Sequence, residues 1–187
     1  MRMTLTAIRV SVVLMLICGL IYPLVTTGIA QTIFPKQADG SLIQSSGAVV
    51  GSELLAQNVQ SPKLFHPRSS AAKYDPTTSM GSNMAVASEG YVKGIADQVD
   101  VLKKNNPNIK DIPADLVTGS GSGFDPDLTP EAAKAQVPRI SRETGIGEQQ
   151  LNQIIDSHTK SRQLGIFGEP RVNVTELNIE LLKQVKL

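Results

Sequence analysis

Val10-Ser-Val-Val-Leu-Met-Leu-Ile-Cys-Gly-Leu-Ile-Tyr22 opens a run that carries no charge until Lys36. As a helix, the run from Val10 to Pro35 measures about 39 Å at 1.5 Å per residue, more than the hydrocarbon core of about 30 Å that a membrane span has to cross. Arg2 and Arg9 precede it, whereas the first charges after it, Lys36 and Asp39, cancel. The positive-inside bias then predicts a short cytoplasmic N-terminus over residues 1–9, a transmembrane helix over 10–33 and an extracytoplasmic domain over 34–187. Tyr22 suits the interface, and Pro23 is tolerated in membrane helices where neighbours satisfy the freed carbonyl.

A cleaved signal peptide is the rival reading, because Gly28-Ile29-Ala30 before Gln31 resembles a small-x-small cleavage site. The uncharged run is longer than the usual apolar core of about 7 to 15 residues, which favours an uncleaved anchor. No Asp, Glu, Lys or Arg lies inside the run, so it lacks the intramembrane charges that mark an ion pathway.

The rest of the chain has the size of one ordinary domain. Once Arg2 and Arg9 are set aside, 16 Lys and Arg remain and are nearly matched by 17 Asp and Glu. That balance argues against nucleic acid as a partner; membrane lipid is met through the helix alone. The single cysteine, Cys18, falls inside the apolar run, so the outer domain has no disulfide to stabilise it. Trp is absent and aromatics make up 4% of the chain, which disfavours an aromatic-lined sugar or quaternary-amine site.

Helical and strand-like segments alternate after the membrane run, predicting a mixed α/β domain. Residues 37–41 read as a turn and Ala48 to Leu55 as a strand. Gln60 to Ser82, with Pro62, Pro67 and Pro76, reads as a long loop. Ser88 to Asn105 predicts a helix with Tyr91, Ile95, Val99 and Leu102 on one face and Ser88 as cap. Ile112 to Thr118 reads as a strand. Thr129-Pro130-Glu131 is a helix start, with Pro138 expected to kink or end that helix before Thr144. Further helices are predicted over 147–160, with Leu151, Ile154 and Ile155 inward, and over 175–187, with Leu177, Leu181 and Leu182 inward; a strand over 169–174 separates them.

Catalytic and metal-binding patterns are weak. There is no Gly-x-x-x-x-Gly-Lys-Ser/Thr loop. Gly119, Gly121 and Gly123 read as an ordinary glycine turn before an anion cradle. Asp125 and Asp127 lack the further ligands a cation needs, so no metal site is assigned. His66 and His158 have no Cys, Ser or second His at triad or zinc spacing. An accessory subunit fits these features better than a membrane-tethered or secreted periplasmic binding protein or hydrolase.

Several strings then carry a resemblance along nearly the whole chain: Tyr22-Pro-Leu-Val-Thr-Thr-Gly28, Gly40-Ser-Leu-Ile43, Val50-Gly-Ser-Glu-Leu54, Tyr74-Asp-Pro76, Gly81-Ser-Asn83, Asp115-Leu-Val-Thr-Gly-Ser-Gly-Ser-Gly-Phe-Asp125, Ile166-Phe-Gly-Glu-Pro-Arg-Val-Asn-Val174 and Glu176-Leu-Asn178. In order and content they resemble the C subunit of the Kdp potassium-transporting ATPase. The resemblance implies an inner-membrane, single-pass accessory subunit with no phosphorylation site of its own. Its implied partners are a channel-like potassium-translocating subunit that carries the potassium, a P-type ATPase subunit and a small single-helix subunit. It further implies a catalytic chaperone that raises the ATP affinity of the ATPase subunit, with ATP as a weak or indirect cofactor. The family motif places its glutamine here at Gln136, within Thr129-Pro-Glu-Ala-Ala-Lys-Ala-Gln136. The charge rule puts Gln136 on the side of the membrane opposite ATP hydrolysis, so coupling through conformation is expected before direct contact. The loops 62–83 and 119–127 are the expected partner surface, with Phe65, His66, Arg68, Tyr74, Asn83, Ser122 and Asp125 as contact residues.

Overall fold

The computed structural model describes residues 2–45, 47–107 and 109–184. The predicted end of the last helix, 185–187, lies outside them. The chain divides into two compact units with the break between Val50 and Gly51.

In the first unit, helix α1 runs from Arg2 to Ile33, 32 residues with a mean hydropathy of 2.3 in its most apolar window and none of that window buried. It is thus long and apolar enough to cross a membrane. The helix widens into a π turn over Ile17–Ile21, where the Tyr22 N–H donates to the Ile17 carbonyl. Pro23 explains the widening. Its ring lacks an N–H and crowds the carbonyl one turn earlier, and an extra residue in the preceding turn relieves that crowding. One turn later the Thr26 hydroxyl donates to the Tyr22 carbonyl at 2.6 Å. A short helical turn, α2 (Pro35–Ala38), ends at Gly40, whose φ of +87° closes the predicted turn. Strands β1 (Leu42–Ser45) and β2 (Ala48–Ser52) follow as a two-stranded sheet. The expected strand to Leu55 stops early because the Leu54 N–H turns back to the Ser52 hydroxyl at 3.1 Å.

The second unit holds helix α3 (Glu89–Asn105), strand β3 (Asp127–Leu128), helices α4 (Pro130–Lys134), α5 (Val137–Thr144) and α6 (Glu148–His158), strands β4 (Thr159–Lys160) and β5 (Arg171–Asn173), and helix α7 (Val174–Gln184). Strand β5 lies between β3 and β4, antiparallel to both, pairing Val172 with Leu128 on one side and with Thr159 on the other. The domain is therefore mixed helix and strand, as its alternating pattern predicts.

Several boundaries follow local chemistry. Ser88 caps α3 by accepting from the Tyr91 N–H, and Thr129 caps α4 by accepting from Ala132. The helix begun at Thr129 breaks at Ala135–Gln136 and restarts as α5 with Pro138 in its first turn, where the missing N–H costs nothing.

The core joins Leu128, Ala132, Ala133, Val137 and Ile140 to Leu151, Ile154 and Ile155 of α6 and to Val172, Val174, Leu177 and Leu181. Leu182, expected inward, is exposed, because the inward stripe of α7 is Val174, Leu177, Asn178 and Leu181. The strand predicted over Ile112 to Thr118 is instead a 3₁₀ turn, Ala114–Leu116. Short-range bonds decide it: Leu116 N–H to Pro113, and Val117 N–H and the Thr118 hydroxyl to Ala114. Helix α3 presents the predicted Tyr91, Ile95, Val99 and Leu102 stripe, yet each is only half-buried and no residue of the helix is fully buried.

Candidate functional site

The long loop 60–82 is ordered by two carboxamides from distant helices. Asn178 of α7 accepts from the Phe65 N–H at 2.8 Å and donates to the Phe65 carbonyl at 2.9 Å. Gln136, at the break between α4 and α5, does the same for His66, accepting at 2.8 Å and donating at 3.0 Å. Each amide supplies one donor and one acceptor in a plane, so the pair imitates a neighbouring strand and holds two consecutive backbone units. Phe65 is consequently driven into the core, with no exposed surface.

Arg139, one turn into α5, completes this clamp. It donates to the carbonyls of Pro62 and Leu64, and to the Gln136 Oε1 at 2.8 Å. Its partners are neutral oxygens, and burial pushes the guanidinium down to about 10, still charged at neutral pH. Burial first and the Arg139 charge second hold the His66 imidazole below its ordinary range, while its Nε2 meets the Ser61 carbonyl at 2.9 Å.

A cavity of about 390 Å³ lies beside the clamp, lined in part by His66, Tyr74, Gln98, Asn106, Gln136 and Arg139. Asn106 is buried there with its Oδ1 lacking a partner. The cavity is polar and holds one fixed positive charge, but the Gln136 amide on its wall already uses both its oxygen and its nitrogen within the protein.

The expected contact loops, 62–83 and 119–127, meet each other. Ser69 pairs with Gly119 in a parallel bridge, the Ser120 N–H donates to Ser69 at 3.2 Å, and the Met80 N–H donates to Ser122 at 3.1 Å. Arg68 reaches Asp125 at 3.5 Å and donates to the Thr118 hydroxyl at 3.2 Å. The Tyr74 hydroxyl donates to the Arg68 carbonyl at 2.8 Å, and burial raises its pKa. Gly123 has φ of +83°, and a Cβ there would stand 2.8 Å from that of Ala72 and 2.7 Å from the Met80 oxygen. Gly123 thus serves close loop packing, and its N–H is taken by the Ser120 hydroxyl at 2.9 Å.

Of the expected contact residues, Arg68, Tyr74, Ser122 and Asp125 come together on this joined surface, and Asn83 is exposed at its edge with φ of +52°. His66 is half-buried on the cavity wall. Phe65 is a correction: its ring is core, because Asn178 and the helices around it enclose the segment. Sequence reading quotes Asn178 only within a resembling string and assigns it no role, and it misses Arg139; a buried polar group 113 or 75 residues from its partner leaves no local signal.

Comparison with known proteins shows the family of the chain. The sequence model of the family described as KdpC, K+-transporting ATPase, c chain, matches residues 4–183. The chain is 44% identical over 181 residues to a potassium-transporting ATPase KdpC subunit of Caldanaerobacter subterraneus subsp. tengcongensis, covering 96% of this chain and 94% of that one. It is 44% identical over 182 residues to the protein of the same name in Bacillus cereus (strain Q1), with the same coverage. To that of Geobacter sulfurreducens it is 47% identical over 180 residues, covering 94% of each. All of α1 after Met3, the clamp and the joined loops fall within the matched span, and the chain belongs to the KdpC family, the c chain of K+-transporting ATPases.

Proposed function

We propose that the chain is the non-catalytic C subunit of an ATP-driven potassium uptake complex, held in the inner membrane by α1 with its N-terminus cytoplasmic and its mixed domain outside. The observation that carries this reading is the family match, which spans the apolar helix and the folded domain together, over residues 4–183. Its partners are then the channel-like potassium-translocating subunit, the P-type ATPase subunit and the small single-helix subunit. The domain stabilises the assembly, and potassium passes through a partner. To test this, the full chain is tagged after Leu187, recovered from gently solubilised membranes and weighed intact together with whatever accompanies it. Recovery of the partner subunits with a chain that retains Met1 to Ala30 supports the reading. A solitary chain beginning at Gln31 overturns it.

In the finer reading, the subunit raises the ATP affinity of the ATPase subunit through the conformational equilibrium of the complex, with no nucleotide bound to Gln136. The support is that both ends of the Gln136 amide are engaged in the loop clamp. A residue so engaged transmits a loop position more readily than it recognises a ligand. Gln136→Ala and Asn178→Ala loosen the same loop from opposite sides, so they separate the two mechanisms. An equal rise in the KM for ATP of the potassium-stimulated ATPase in both variants is expected. A rise confined to Gln136→Ala means direct contact and overturns the conformational route.

A further inference from the structure

The segment Ser161-Arg-Gln-Leu-Gly-Ile-Phe-Gly-Glu-Pro170, between β4 and β5, contributes nothing to the core: every one of its residues is exposed. Leu164 is 88%, Ile166 74% and Phe167 61% exposed. Single exposed apolar side chains are ordinary, but three large ones at one tip mark a surface that is covered in use. The tip has a defined shape. The Gln163 N–H donates to the Phe167 carbonyl at 2.8 Å and the Phe167 N–H to the Gln163 carbonyl at 2.9 Å, with Leu164 and Gly165 at positive φ in the turn between. Arg162 pairs with Glu169 at 2.6 Å across the neck, and Lys160 pairs with Glu176 at 2.9 Å below it.

We propose that this hairpin is an assembly plug, which seats Leu164, Ile166 and Phe167 in an apolar pocket on another protein subunit of the same membrane complex. Charge and area select that occupant. Both basic residues at the neck are matched by carboxylates of the same chain, so the hairpin carries no net positive charge to draw it onto anionic headgroups. Three side chains also offer only a few hundred Å² of apolar surface, well below the ~1,200–2,000 Å² of a stand-alone interface. So small a contact is effective where a second attachment already keeps the partners together, and α1 supplies that attachment in a membrane complex. The inference rests on the reading of the chain as a subunit, and it assigns the contact to a segment distinct from the joined loops 62–83 and 119–127.

The test uses the full tagged chain co-expressed with the three partner subunits, comparing the natural sequence with a Leu164→Ser, Ile166→Ser, Phe167→Ser variant. The variant is expected to melt as the natural chain does and to lose about tenfold or more of its partners on detergent dilution, three apolar anchors being removed. Unchanged partner recovery, with the natural complex intact, overturns the plug and leaves the subunit reading standing. A natural chain that brings no partners overturns both. The source of the contact is read from Ile166→Cys in a Cys18→Ser background, labelled with an environment-sensitive fluorophore. A blue shift in the complex that is absent from the chain alone in phosphatidylglycerol-containing vesicles is expected. A shift in those vesicles that brominated lipid quenches overturns the proposal in favour of the bilayer. A concentration-dependent shift of the chain alone in detergent overturns it in favour of a second copy.

Discussion

Segments 61–70 and 161–170 have equal length, and each carries one leucine, one phenylalanine and one arginine, yet they end in opposite environments. Phe65 has no exposed surface, whereas Phe167 is 61% exposed. Neither segment is a helix, and only isolated bridges involve their residues. What separates them is the supply of hydrogen-bonding partners. Asn178, Gln136 and Arg139 take up the backbone groups of the first segment, so its apolar side chain can enter the core without stranding polar atoms. The second segment bonds the N–H groups of Gln163, Gly165, Ile166 and Phe167 within its own turn, and all its residues stay exposed. Burial of a loop is thus decided by who receives its amides, and only then by how apolar it is.

The comparison breaks most strongly at the two phenylalanines. Phe65→Ala is expected to cost about 3–5 kcal/mol through lost transfer energy and the cavity left behind. Phe167→Ala should stay within about 0.5 kcal/mol, as exposed substitutions do. Urea unfolding of the two variants side by side checks the pair, and similar losses would refute the contrast. Gln136→Ala comes next, at about 2–4 kcal/mol, because it strips the His66 backbone of its partners and leaves Arg139 with one fewer acceptor in a buried place. The same unfolding measurement reads it. Gly123→Ala forces a Cβ into the Met80 carbonyl at a positive φ, and a loss of about 1–3 kcal/mol is expected. A fall of that size would show that the joined loops are built on that close approach.

The smallest effect is the pH dependence contributed by His66. Its folded pKa lies below the unfolded value of about 6.5, so between those two values the unfolded chain binds more protons than the folded one. The stability tied to its neutral form is therefore complete above pH 6.5 and falls as the pH drops through that window. Urea midpoints at pH 7.5 and 5.5 are expected to differ more for the natural chain than for His66→Gln. Equal differences would mean that the clamp is indifferent to the charge of this ring.

Much of the architecture was legible because it is local. An uncharged apolar run has one stable conformation in lipid, a helix. Ser88 and Thr129 satisfy helix N–H groups within three residues of themselves, and Pro138 is accommodated in a first helical turn, so the helix begun at Thr129 breaks just before it. The inward face of α6 repeats at helical spacing and is buried as read, at Leu151, Ile154 and Ile155. Local reading failed where two local preferences competed. Ile112 to Thr118 has strand-like composition, but Pro113 and Ala114 accept bonds from three and four residues on and a 3₁₀ turn results. Leu182 fits the apolar pattern of α7 and is exposed because the core reaches only one stripe of that helix.

The candidate site was the least legible part. The loops were recognisable as loops, and Gln136 as a residue of interest, but the meeting of Ser69 with Gly119 and of Arg68 with Asp125 depends on chain segments some fifty residues apart. By itself, the sequence determined the apolar helix, the family, the helix starts and the stripes that pack, since these depend on the spacing of side chains along one segment and on the solvent that segment meets. Only the tertiary structure decided that Phe65 is core and Phe167 is surface, and that Gln136 holds a loop, since each of those outcomes depends on which distant donor or acceptor arrives at the backbone.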